Sequence, residues 1–153
     1  MIKIILLFST LFCFLEANYK IIDNENNFII KIKNKDFKIL YANLKDEINF
    51  QSFTIVHELD LAKSTVNVAL ALEKEAILKN GINILICKSS FTLEMHEENI
   101  ENIIFCPLGI SIYQNKNNEI FISYKKYKAL KNGDKIAAKI NGVLKSLIIQ
   151  SLD

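Results

Sequence analysis

The chain of 153 residues has no arginine and no tryptophan, one proline, four glycines, two histidines and three cysteines. Each scarcity narrows what the protein can be. Sequence-specific nucleic-acid readers depend on arginine forks and a strong basic excess. Here every positive charge is lysine and the formal net charge is only +2, so nucleic acid is set aside as a partner. There is no glycine-rich phosphate loop, no paired-carboxylate motif and no serine elbow to announce a known chemistry. No C-x-x-C or H-x-x-x-H spacing marks a zinc or thioredoxin-like site. No repeat and no domain linker interrupts the chain.

What is present suits one globular domain. Half of the residues are hydrophobic and 24% are charged, enough to build a core at this length. The start is distinctive. Lys3 is followed by an apolar run over residues 4–15, and Ala17 supplies a small residue before Asn18. That run is too short to span a bilayer, which needs roughly 20 residues, and its layout is that of a cleaved export signal. Residues 1–17 are therefore read as a signal peptide and 18–153 as a single exported, periplasmic domain with no transmembrane segment in the mature chain. An uncleaved anchor is the alternative. Lipid attachment at Cys13 is disfavoured because Phe12 stands where a small residue is wanted.

The patterning predicts a strand at 28–33, preceded by a polar lead-in that contains an edge strand. A helix follows in which Phe37, Leu40, Tyr41, Leu44 and Ile48 recur at helical spacing, with Asn34 or Asp36 as its cap. Residues 53–61 alternate, placing Phe53, Ile55, His57, Leu59 and Leu61 on one apolar face of a strand. His57 is read as a hydrogen-bonded core or cavity histidine rather than a ligand. A second helix is predicted from Ser64 to about Lys79, ended by Asn80-Gly81 and apolar around much of its circumference, so that it is either well buried or faces a second subunit. An apolar strand at 83–89, a short acidic helix at 92–99, a hairpin of strands 108–113 and 119–125, and a final helix from Asp134 complete the chain.

Chemistry-bearing residues concentrate in 87–113. Cys87, Met95, His96 and Cys106 offer thiolate, thioether and imidazole, the donor set that suits Cu(I). Adjacent helical residues diverge by about 100°, so Met95 and His96 reach one ion only if their segment is a loop; otherwise Met95 is core and His96 is solvated among glutamates. A thiol enzyme is a further reading, with His57, His96 or Lys88 activating a cysteine. After export, Cys87 and Cys106 are expected to lie within disulfide reach and at least partly to form that bond.

Several ordered residues carry a resemblance to a family: Asp36-Phe37, Leu44 and Ile48; Phe53-Thr54-Ile55-Val56; Asp60-Leu61-Ala62; the run from Pro107 to Tyr113; and Ile122-Ser123-Tyr124 with Tyr127 and Leu130. Together they resemble the bacterial domain-of-unknown-function family 302 over nearly all of residues 28–153. The resemblance implies an α+β fold similar to the TATA-binding-protein-like class. Its mostly antiparallel curved sheet carries two or three packed helices, in the order strand, helix, strand, helix, three strands, helix. Relatives of that class often dimerise or enclose an apolar cavity, and the family brings no reaction with it. The segment between Cys87 and Cys106 departs from the family pattern. The first-choice reading is an exported, non-catalytic homodimer that binds an apolar small molecule or a partner protein. His57, Phe53, Tyr113 and Tyr124 are its ligand or cavity candidates, its cofactor is unknown, and soft-metal or thiol-redox chemistry is the alternative.

Overall fold

The computed structural model describes residues 18–128 and 133–153. The expected signal segment, and Leu130 of the family resemblance, lie outside the described residues. β1 (Tyr19–Asp23) and β2 (Asn27–Ile32) form a hairpin at one edge. β3 (Thr54–Asp60) lies at the other, with β4 (Leu78–Cys87), β5 (Leu108–Asn115) and β6 (Ile120–Lys125) between them. The six-stranded sheet runs β1-β2-β6-β5-β4-β3 and every neighbouring pair is antiparallel. It is the α+β arrangement that the pattern of strands and helices predicts.

Alternation builds the core. Phe28, Ile30 and Ile32 of β2, Ile110 and Ile112 of β5, and Ile120 and Ile122 of β6 are buried. Their register partners share the same face, since successive side chains of a strand point to opposite sides of the sheet. Onto that face pack α1 (Phe37–Phe50) through Leu40, Leu44 and Ile48, and α4 (Asp134–Gln150) through Ile136, Ile140, Leu144, Leu147 and Ile148. The i, i+4 spacing of these residues makes one apolar stripe on each helix. Asp36 caps α1, its Oδ1 accepting from the backbone N–H groups of Lys38 and Ile39 at 2.8 and 3.1 Å. α3 (Ser89–Glu98) adds Phe91 and Met95 to the core, and a 3-10 segment (Ile100–Phe105) leads back to β5.

Three expectations need correction. The first is the strict alternation of residues 53–61. Register slips between Ile55 and His57, so Ile55 lies opposite the buried Ile86, while Glu58, three residues further on, faces Ile84, two residues back along β4. The extra residue of such a bulge moves everything after it to the other side of the sheet. His57 and Leu59 therefore leave the apolar face, and Glu58 takes the inner position. There it accepts from the Tyr41 hydroxyl at 2.5 Å and Lys45 Nζ at 3.1 Å.

The second is the second helix. α2 spans Leu61–Ala71, capped by Asp60, and none of its residues is buried. Glu73 adopts φ 53° and Lys74 N–H donates to the Ala69 carbonyl at 2.8 Å, a left-handed stop made without glycine. Third, Asn80-Gly81 ends no helix. It lies inside β4, where a Cβ on Gly81 would meet Leu78 Cδ1 at 3.1 Å and the Ala62 backbone nitrogen at 3.6 Å. The nearer of these is the flexible end of a leucine side chain, and the first turn of α2 lies at ordinary contact distance from the strand there.

Candidate functional site

Because α1, α3 and α4 all add to one core, the opposite side of the sheet is left open. Its residues are those that alternate with the core. One row is continuous in the strand register: Ile22, Ile29, Ser123, Ser111, Asn83 and Leu59. Its centre is three small polar side chains from three strands, flanked by aliphatic ones. A neighbouring row carries Lys31, Phe121 and Tyr113. Tyr113 stacks on Phe121 with centroids 5.0 Å apart and planes 10° apart. Burial raises the Tyr113 hydroxyl above its ordinary pKa, with a hydrogen bond from Ser123 pulling the other way.

The 3-10 segment curls over one end of this face and turns it into a groove of about 580 Å³. Asn83, Gly109, Ser111, Ser123 and Ile29 line it from the sheet, Ile104, Phe105 and Pro107 from the segment before β5, and Tyr124, Lys125 and Tyr127 from the other end. Gly109 keeps the floor low; a Cβ there would stand 3.5 Å from Asn83 Oδ1 and 3.7 Å from Leu85 Cδ2.

Two buried polar atoms of the lining residues have no hydrogen-bond partner among the described residues: Asn83 Oδ1 and the Tyr127 hydroxyl. Such groups are uncommon in folded proteins, because an unpaired buried acceptor or donor costs roughly 1–3 kcal/mol. The Tyr127 ring meets Phe105 edge-on at 4.8 Å. Its pKa is pushed up to about 12, first by burial, then by the charges of Cys106 and Glu98.

The residues singled out in the sequence fall into separate places. Tyr124 lines the groove, but its hydroxyl donates to the Asn141 carbonyl at 2.8 Å and ties β6 to α4. Tyr113 lies on the open face beside the Phe121 ring. Phe53 is buried, edge-on to Phe91 at 5.8 Å. His57 is exposed, opposite Leu85 near the β3 edge. Met95 is fully buried in the core, whereas His96 is half-buried with Nε2 unpaired.

Cys87 and Cys106 do come together. Both thiols are free and half-buried, and both reach the Thr92 hydroxyl, Cys87 Sγ at 3.5 Å and Cys106 Sγ at 3.6 Å. The expected disulfide is not formed in this structure. Among the described residues no group of three or more histidine, cysteine, aspartate or glutamate side chains is placed to hold a metal ion. Asn83, Ser111, Ser123 and Tyr127 were not signalled as site residues. Asn83 alone had a visible sign, a single amide inside the apolar run Ile82 to Ile86.

An open antiparallel sheet with several helices is a fold shared by many proteins, and comparison places this one. Residues 28–149 match the family described as Domain of unknown function DUF302, and the chain belongs to that family. The crystal structure of an uncharacterized conserved DUF302 protein from Bacillus stearothermophilus superposes with a TM-score of 0.69 at 13% identity. The match covers 84% of this chain and 99% of that one. At that identity the likeness establishes the fold alone. No curated protein matches the chain. Among the described residues no helix is long and apolar enough to cross a membrane.

Proposed function

We propose that this protein is an exported, non-catalytic binding module, working as a homodimer, that holds a small and largely apolar molecule in the groove on the open face. The observation that carries the reading is the unpaired Asn83 Oδ1, buried beside the Ser111 and Ser123 side chains in a groove whose other walls are Ile29, Ile104, Phe105 and Pro107. Binding pockets commonly combine apolar walls with a few fixed polar groups that orient the ligand. Asn83 Oδ1 asks for a hydrogen-bond donor, so the ligand is an apolar body bearing an N–H or O–H group. Export rests on Lys3, the apolar run at 4–15 and Ala17. The homodimer rests on Val68 and Leu70 of α2 and Leu72 at its end, all more than half exposed; a second subunit is one way to cover such a surface.

Native mass spectrometry of protein recovered from its own cells tests the three parts together. The expected result is a chain starting at Asn18, a particle of twice the mature mass, and an added small-molecule mass that Asn83→Leu removes. A soluble cytoplasmic form starting at Met1 contradicts export. A monomer at every dilution contradicts the dimer. A bound mass indifferent to Asn83→Leu contradicts the groove.

A further inference from the structure

The thiol pair lies outside the binding reading and supports a separate one. We infer that Cys87 and Cys106 form a two-sulfur site for a monovalent soft metal ion, Cu(I). The chain reaches this arrangement from two directions. Cys87 is the last residue of β4, and Cys106 immediately precedes Pro107 and β5. β4 and β5 pair antiparallel with Ile86 opposite Leu108, so the two cysteines flank the end of the ladder. Thr92, in the first turns of α3, places its hydroxyl between them, within 3.6 Å of each sulfur. The two thiols thus converge on one point from adjoining strands.

The chemistry of the donors selects the ion. Thiolate is a soft ligand that favours Cu(I), zinc or iron–sulfur clusters. Structural zinc takes four ligands in a tetrahedron, and no third histidine, cysteine or carboxylate joins a set here among the described residues. Met95 is fully buried in the core, which removes the thioether of the four-donor set considered from sequence. Two sulfurs alone satisfy Cu(I), which accepts linear two-coordination. Binding converts two thiols and one Cu(I) into a bis-thiolate complex with a single negative charge and releases two protons; the metal is neither oxidised nor reduced.

The surroundings suit that charge. Lys88 follows Cys87 directly, and its ammonium is held by the Gln51 carbonyl at 2.8 Å over the Phe53 and Phe91 rings, 5.3 and 5.2 Å from their centroids. Cys106 is half-buried and packs against the hydrophobic core. In this site the Thr92 hydroxyl is a positioning group, able to donate to a thiolate but not a ligand.

The test is anaerobic titration of the reduced full chain with Cu(I) against a coloured Cu(I) chelator, with Cys13→Ser in place so that only this pair is counted. One equivalent is expected to bind, and X-ray absorption is expected to show two sulfur neighbours and no nitrogen. Cys87→Ser and Cys106→Ser should each weaken binding about 100-fold or more, beyond the ~10–100-fold that outer-shell changes cost. Thr92→Val should stay within the outer-shell range and keep the two-sulfur signature, and His96→Gln should change nothing. Excess Zn²⁺ should not displace the ion. If a serine variant fails to fold, peptide mapping of alkylation on the Cys13→Ser chain decides: Cu(I) must protect both Cys87 and Cys106. Absence of uptake by the reduced protein overturns the site, as does uptake that survives loss of either cysteine or a spectrum with imidazole nitrogen. Loss of the groove ligand leaves this result unaffected, and the reverse also holds.

Discussion

The two faces of the sheet are built from the same strands and obey different rules. On β5 and β6, Ile110, Ile112, Ile120 and Ile122 have no exposure, while Ser111 and Ser123, one residue along, pair across the other face. The covered face is largely apolar: Ile112 meets Ile122, Ile110 meets Tyr124, and the stripes of α1 and α4 close over it. The open face is mixed, with small polar groups at its centre, aromatics in the next row and a short roof at one end. A face made only to fold has no use for a buried amide oxygen without a partner. The difference teaches that alternate residues of one strand are under separate demands, one set for stability and the other, on the proposed function, for binding.

The largest expected effect breaks that contrast within two neighbouring residues. Ile112→Ala on the covered face should cost about 2–5 kcal/mol in urea unfolding, the range for truncating a buried aliphatic. Ser111→Ala next to it should stay within about 0.5 kcal/mol and yet weaken ligand binding. If Ser111→Ala destabilises the fold as much as Ile112→Ala, the two faces are not distinct in the way described.

A second contrast sets helix against helix. Leu144→Ala in α4 should again cost about 2–5 kcal/mol. Leu70→Ala in α2 removes a side chain that is 70% exposed, so monomer stability should barely move while the dimer dissociates at higher protein concentration. Equal losses of monomer stability would mean that α2 is packed as α4 is. A smaller effect is expected at the α1 cap, where Asp36→Ala should cost about 1 kcal/mol.

The smallest effects concern two tyrosines at the boundary between the faces. Tyr124 and Tyr127 both have hydroxyl pKa values pushed up to about 12, chiefly by burial. Ionisation is thus harder in the folded chain than in the unfolded one. The stability this confers is complete below pH 10, the ordinary tyrosine value, and is lost as pH rises towards about 12. The two should separate at neutral pH. Tyr124→Phe loses the 2.8 Å bond to the Asn141 carbonyl and should cost about 1 kcal/mol. Tyr127→Phe gives up no bond seen among the described residues, where that hydroxyl has no partner, and should be neutral or slightly stabilising. It should also reduce the alkaline loss. Unfolding curves from pH 7 to 11.5 measure both.

Much of the fold was legible because its signals are local. The stripe of Leu40, Leu44 and Ile48, the cap at Asp36 and the alternation of Phe28, Ile30 and Ile32 need only neighbouring residues to be read. The misreadings came where tertiary contacts decide. The bulge after Ile55 leaves no mark in composition, because Val56 and His57 continue an alternating pattern. Gly81 carries the local sign of a helix stop, but it lies inside β4, paired with Tyr113 and beside the first turn of α2. The end of α2 uses Glu73 in a left-handed conformation where glycine would have been the signal.

The open-face row was less legible still. Asn83, Ser111 and Ser123 lie 28 and 12 residues apart in sequence, and only strand register brings them side by side. By contrast, Cys87 and Cys106 were singled out within residues 87–113, but the Thr92 hydroxyl that both sulfurs reach was not.

The binding role of the open face is tested most directly by amide chemical-shift mapping of the 18–153 chain against a library of small amphipathic fragments bearing N–H or O–H donors. The account predicts that bound fragments shift Asn83, Gly109, Ser111 and Ser123 together, leave the covered strand positions Ile110 and Ile112 much less affected, and lose affinity in Asn83→Leu. Fragments that bind elsewhere, or bind the groove equally well in Asn83→Leu, would contradict it.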